Sequence, residues 1–210
     1  MSEATFDHIQ SEDILEENVS FEEFLARYEG QHAEWHAGKV IRKMSNNEQH
    51  QFLLNLLQTI LSMYFMFKQN GKLYSDGYQM QLHDDKPARQ PDLLIVFEEH
   101  YDRIKHQYLD GAADIVIEIV SPATGKVDRG DKYYQYQDGG VPEYWIIDPQ
   151  SKQVDVYYLD DEGHYQRVKE ATDKIISHQL EGFVLDNAVL WQRELPQGQE
   201  IIDLVQSLIK

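Results

Sequence analysis

The chain has 210 residues, 41% of them hydrophobic and 27% charged, enough for one globular core, and no apolar run comes near the roughly 20 residues that cross a bilayer. Without cysteine it has no disulfide, no thiolate metal site and no Cys nucleophile, which leaves His, Asp, Glu and hydroxyl groups for chemistry. The 19 Lys and Arg against 37 Asp and Glu give a net charge of −18, which repels a polyanion at long range and suits divalent cations better.

In chain order, residues 1–19 carry many acids and few large apolar groups, so a flexible acidic leader is expected before a single domain over 20–210. The first residues are acidic where a secretory signal is basic, which points to the cytoplasm. Ser20 before FEEFLARYE, with Glu22 and Glu23 following, predicts a helix start. AEWHAGKVIRKM reads as a hairpin turning at Gly38, with Glu34 on its first arm. From Asn46 to Lys68 the residues Phe52, Leu53, Leu56, Leu57, Ile60, Leu61, Tyr64, Phe65 and Phe67 recur at helical spacing and predict the principal core helix.

KLYSDGYQMQL, PDLLIVF and ADIVIEIVSP follow as three β-type runs expected to pair in one sheet. EEHYDRIKHQYLDG, between the last two, is open between a helical turn and an irregular loop. A helix capped by Asp128 and running through Tyr136 is expected to stop at Asp138-Gly139-Gly140. VPEYWIIDP and QVDVYYLD predict two strands across a turn at 149–152. HYQRVKEA, KIISH and GFVLDNAVLW read as edge strands or a hairpin extension, and IIDLVQSLIK as a terminal amphipathic helix. The fold class is therefore α/β, a mixed central sheet flanked by helices with a β-rich C-terminal extension.

Chemistry is expected where charge interrupts this pattern. The run from Asp114 to Val120 is too apolar for a half-exposed strand, so both of its faces are expected to be covered. Alternation puts Glu118 between Val116 and Val120 on one face, where an ionised carboxylate costs several kcal/mol unless a cation, a metal or hydrogen-bond donors compensate it. Either an internal salt bridge or a functional site satisfies that need. Asp92, after Pro91, opens the preceding strand; alone it reads as a turn residue, but with Glu118 it forms a pair able to converge on one Mg²⁺, with the main-chain carbonyl of Ile119 as a third oxygen.

Pro91-Asp92 followed by an acid in a buried strand resembles the PD-(D/E)xK phosphodiesterase superfamily. A longer ordered set runs Glu34 and Gly38, Ser45 and His50, P-D, E-I-V-S-P, D-R-G-D-K-x-x-x-Y and E-Y-W-I-I-D-P. It is similar to a large bacterial family of restriction endonuclease type, the Uma-type family, over roughly residues 20 to 190. The resemblance implies a restriction-endonuclease-like fold, phosphodiester hydrolysis with Mg²⁺ or Mn²⁺, and Asp92, Glu118, Lys132 and Glu34 as catalytic candidates. Asp92, Glu118 and the Ile119 carbonyl would be metal ligands. One departure matters: the usual lysine two residues after the second acid is Val120 here, and Lys132 on the following helix, one turn after Asp128, stands in for it. By the residues alone Lys132 is a surface lysine paired with Asp128, Glu34 an exposed hairpin glutamate and His50 a polar helix-start residue.

The expected partner is nucleic acid, DNA before RNA, with no membrane; cleavage of both strands would favour a homodimer. Arg89, Lys126, Arg129 and Lys132 are expected to gather on one edge to meet phosphates. Two alternatives stand beside this reading: an inactive nuclease-fold binding protein, and a metal-dependent hydrolase of a small substrate.

Overall fold

The computed structural model describes residues 13–43, 47–75, 77–83, 87–121, 125–168, 173–194 and 196–209, without the side chain of Lys126. Part of the segment expected to be a loose leader is ordered. Strand β1 (Ile14–Glu17) pairs antiparallel with β3 (Lys39–Arg42), and its acids Glu16 and Glu17 are held by Arg27 and Lys39 at 2.6 and 3.1 Å. Acids that read as unstructured in sequence have their cations on the next elements. Residues 1–12 lie outside the described residues.

Helix α1 (Phe21–Arg27) starts at the expected capping box, with the Ser20 side chain accepting from the Glu23 amide and Glu23 reaching back to the Ser20 amide. The hairpin β2 (Ala33–His36) to β3 turns at Ala37 and Gly38, whose φ of 47° and 92° are those of a tight primed turn. Helix α2 (Glu48–Lys68) begins at Asn47, whose side chain accepts from the His50 amide.

The three central β runs do not share one sheet. The first is divided: β4 (Gly71–Ser75) pairs with β7 (Leu93–Phe97), whereas β5 (Gln79–Gln81) pairs with β6 (Ala88–Arg89) in a second sheet. Gly77, at φ 106°, makes the turn between them in a conformation that side-chain-bearing residues rarely adopt. The segment left open holds a 3₁₀ turn at 98–103 and then β8 (Tyr108–Asp110), which pairs parallel with β5. The helix expected through Asp128 and Tyr136 is two pieces, α3 (Gly125–Arg129) and α4 (Asp131–Asp138), broken at Gly130.

One sheet runs β1-β3-β2-β6-β5-β8. The other contains β9 (Ile115–Ile119), β10 (Glu143–Asp148), β11 (Gln153–Leu159) and β12 (Tyr165–Arg167), in the order β12-β11-β10-β9-β7-β4, with β9 and β10 parallel and the remaining pairs antiparallel. A separate hairpin, β13 (Lys174–Ile176) and β14 (Val184–Asp186), and helix α5 (Gln199–Leu208) form the C-terminal extension.

Period-two alternation assigns the central strands to two cores. Leu93, Ile95, Ile115, Ile117, Ile119, Trp145 and Ile147 join Leu53, Leu57, Ile60 and Tyr64 of α2, together with Val205 and Leu208 of α5. Leu94, Val96, Val116, Tyr144 and Ile146 form the other core with Tyr136 of α4 and Met80 and Leu109 of the second sheet. Burying both faces accounts for the continuous apolar runs of β7 and β9. It also makes any charge on those strands expensive. No described helix is long and apolar enough to cross a membrane.

Candidate active site

Register brings the two acids together. β7 and β9 pair with Leu93 opposite Ile117, so one further step sets Asp92 opposite Glu118, a position from which neighbouring side chains share a face. Both are 2% exposed. Asp92 Oδ2 accepts from the Ile119 amide at 2.8 Å and from His50 Nε2 at 3.0 Å, and Lys43 Nζ lies 3.5 Å from Oδ1. Burial alone would raise the Asp92 pKa, but the His50 hydrogen bond and the charges of Lys43, His50 and Lys132 outweigh it and hold the group at about 2.

Glu118 is balanced differently. Its Oε1 accepts from Tyr136 Oη at 2.7 Å and lies 2.9 Å from Lys132 Nζ. Burial is the largest influence and raises its pKa; Asp92 and Asp128 raise it further against the opposing charge of Lys132, and it sits at about 7. Lys132 also lies 2.9 Å from Asp128 Oδ1, so the i,i+4 pair survives the break at Gly130. Burial would lower the Lys132 pKa, yet Asp128, Glu118 and Glu34 drive it well above the ordinary value, and the amine stays charged.

The reading of Lys132 as a surface residue is overturned, since it is 6% exposed and bridges two buried acids. The helix after β9 delivers the amine that Val120, part of the apolar core, does not carry. Glu34 is not an exposed hairpin glutamate either. It is 7% exposed, with Oε2 at 2.8 Å from Arg89 and 3.1 Å from His36, and Oε1 accepting from the Gln90 amide. Burial opposes its charge, but Arg89, His36 and Lys132 hold its pKa well below the usual carboxylate range. Glu34 is thus tied to Arg89, His36 and the Gln90 amide and lies within the field of Lys132.

The basic residues expected to face phosphates do not form a free edge. Arg89 is 3% exposed and divided between Glu34, His36 and Gln135; Arg129 lies against Asp148 and Asp155; Lys132 is internal. Each meets a local acid, as a chain with 37 carboxylates makes easy. The Lys126 side chain and Ser45 lie outside the described residues. Sequence reading passed over Lys43, His36 and Gln135, and took Tyr136 as a residue of the helix after Asp128 without a role at the acids. Tyr136 and Gln135 were legible in retrospect, being four and three residues after Lys132 on α4; Lys43 and His36 arrive from distant segments.

Among the described groups, Asp92, Glu118, Asp128 and Glu34 face the cations Lys43, Lys132 and Arg89, with the imidazoles of His50 and His36 against Asp92 and Glu34. Burial first, and then the charges of Asp92 and Asp128, keep the Glu118 pKa raised against Lys132. A mixed sheet with acids at the facing ends of adjacent strands and a lysine from the following helix defines a nuclease-like α/β protein. The solved structure of "a putative nuclease belonging to DUF820 from Anabaena variabilis ATCC 29413" matches with a TM-score of 0.67 at 18% identity, covering 82% of this chain and 97% of that one. No curated protein matches the sequence. The profile of the Uma2 family, described as "Putative restriction endonuclease", matches residues 21–188, and the chain belongs to that family. Family and fold together support a nuclease.

Proposed function

We propose that the protein is a metal-dependent endonuclease that hydrolyses phosphodiester bonds in DNA, with Asp92, Glu118 and Lys132 as its centre. The observation that carries this reading is the pair of buried carboxylates, Asp92 and Glu118, set opposite each other on adjacent strands with Lys43 and Lys132 against them. Among the described residues no three His, Asp or Glu side chains form a ready-made metal cage. Two carboxylates suit Mg²⁺ or Mn²⁺ nonetheless, because Mg²⁺ is commonly held by one or two carboxylates with waters and substrate phosphate completing its shell. Asp92 and Glu118 would hold the ion, and the Ile119 main chain, whose amide already meets Asp92, would add its carbonyl.

The bound ion supplies polarisation of the phosphoryl oxygen and a more acidic water. The chain's own groups do the positioning. His50 and the Ile119 amide orient Asp92 and keep it ionised, while Tyr136 and Lys132 orient Glu118. Lys132, held protonated, acts as a donor to developing negative charge and not as a base. Glu34 positions Arg89 and adds to the field that keeps Lys132 charged. A homodimer would present two such centres to the two strands.

Duplex DNA incubated with Mg²⁺ or Mn²⁺ should be cut by the parent protein and left intact with a chelator or by Asp92→Asn, Glu118→Gln and Lys132→Met. Metal-independent cutting, or cutting by Asp92→Asn, would remove this centre from the reaction. The pairing of each described basic residue near the site with an acid favours a second reading, hydrolysis of a small phosphorylated substrate. That reading predicts metal-dependent turnover of a phosphodiester dinucleotide at a rate undiminished relative to duplex DNA.

A further inference from the structure

Behind the acid centre, on the opposite face of the second sheet, lies an open cavity of about 130 Å³ between α1 and β5. Phe24, Tyr28 and Tyr78 supply aromatic walls, and Gln79 and Gln90 reach it from the sheet. Met80 pairs with Arg89, so the next register step sets Gln79 directly opposite Gln90. Side chains so paired stand about 5 Å apart at Cβ on one face. That face is opposite to the one from which Arg89 meets Glu34.

These glutamines are 6% and 1% exposed, and the Oε1 of each has no hydrogen-bond partner among the described residues. For Gln79 the orientation is fixed, because its Nε2 donates to the Ala33 carbonyl at 2.9 Å and an amide turned around would set two oxygens against each other. A fold seldom keeps two buried acceptors unpaired side by side, since each carries a desolvation cost that a donor removes. A ligand that fits brings two donors to adjacent oxygens and a flat apolar body to the rings. The size is also selective, being close to the ~150 Å³ cavity that holds a single benzene ring.

We infer that this cavity is a subsite for an amino-bearing six-membered heteroaromatic ring, such as the pyrimidine ring of cytosine or adenine, whose exocyclic amine donates to Gln79 Oε1 and Gln90 Oε1. The inference deepens the nuclease reading and rests on it for the source of the base. Gln90 joins the two places: it lies two residues before Asp92, and its carbonyl accepts from Lys43 Nζ, which is 3.5 Å from Asp92 Oδ1. An extended dipeptide spans roughly 7 Å, so occupancy of the subsite is felt at the acid centre through Lys43.

Calorimetric titration of the metal-free protein with cytidine, uridine, adenosine and inosine tests this, since each pair differs by replacement of the amine with a carbonyl. Cytidine and adenosine should bind about tenfold more tightly than uridine and inosine, the effect of removing a donor from a buried acceptor. Gln79→Met should abolish the difference, and Asp92→Asn should preserve it. Equal affinities within each pair overturn the subsite even if Gln79→Met fails to fold, and so does a difference that survives Gln79→Met. Competition separates the sources: a cytosine oligonucleotide that displaces cytidine while a thymine one does not assigns the base to the substrate, and no displacement by either assigns it to a free nucleoside. Discrimination without metal-dependent cleavage supports the subsite and sinks the nuclease reading; cleavage without discrimination does the reverse.

Discussion

Glu118 and Glu143 sit on adjacent parallel strands, each at most 2% exposed, and burial raises the pKa of both, yet their surroundings differ in kind. Glu143 faces the α2 side of the sheet and accepts from neutral donors: Trp145 Nε1 and the amides of His178 and Gln179. It ties the turn before β14 to the start of β10. Glu118 faces the other core and is surrounded by charge, with Lys132 in contact and Asp92 and Asp128 repelling it. Burial of a glutamate therefore does not mark a site. What separates the two is that Glu143 is compensated by neutral dipoles, whereas Glu118 is held against Lys132 and repelled by Asp92 and Asp128.

The comparison is sharpened most by removing the cation. Lys132→Met leaves Glu118 and Asp128 buried without it and should cost about 3–5 kcal/mol, read as a fall in melting temperature. A loss below that of Glu143→Ala would mean that Lys132 is not the hub. Next comes pH. The folded pKa of Glu118, about 7, lies above its ordinary 4.5, so its contribution to stability is fully present below pH 4.5 and is lost as pH rises to 7. Glu118→Gln should then stabilise the metal-free protein by about 3 kcal/mol above pH 7 and have no such benefit below pH 4.5. Asp92 has the opposite sign: its stabilisation holds above pH 3.8 and fades as pH falls toward 2. Equal melting temperatures for parent and Glu118→Gln at pH 8 would contradict the raised pKa of Glu118.

A somewhat smaller effect is expected from the ion itself. Mg²⁺ at a hundred times its dissociation constant should stabilise the parent by about 2.7 kcal/mol, and Glu118→Gln or Asp92→Asn far less. Stabilisation of equal size in all three would place the ion elsewhere. Smallest is Glu143→Ala, which strands the Trp145, His178 and Gln179 donors and should cost about 1–3 kcal/mol. It should leave both Mg²⁺ affinity and the cleavage rate per folded molecule unchanged, and a shift in either would erase the distinction between the two glutamates.

Much of the fold was legible because it is written in local periodicity and caps: the Ser20–Glu23 box, the Gly38 hairpin, the α2 stripe, and the strand pair β10 and β11. The nearness of Asp92 and Glu118 was legible too, through two adjacent strands and the cost of charge within them. The division of KLYSDGYQMQL between two sheets was not, since propensity gives a strand its conformation and says nothing of which sheet it joins. Nor was the pairing of Glu34 with Arg89, 55 residues apart, or of His50 with Asp92, 42 apart. By itself the sequence determined the elements and which strands carry misplaced charge, because those follow from side-chain chemistry over a few residues. Only the tertiary structure decided which charges meet, because at ångström range burial and neighbouring charge set whether a given acid is a tie, like Glu143, or part of a centre, like Glu118.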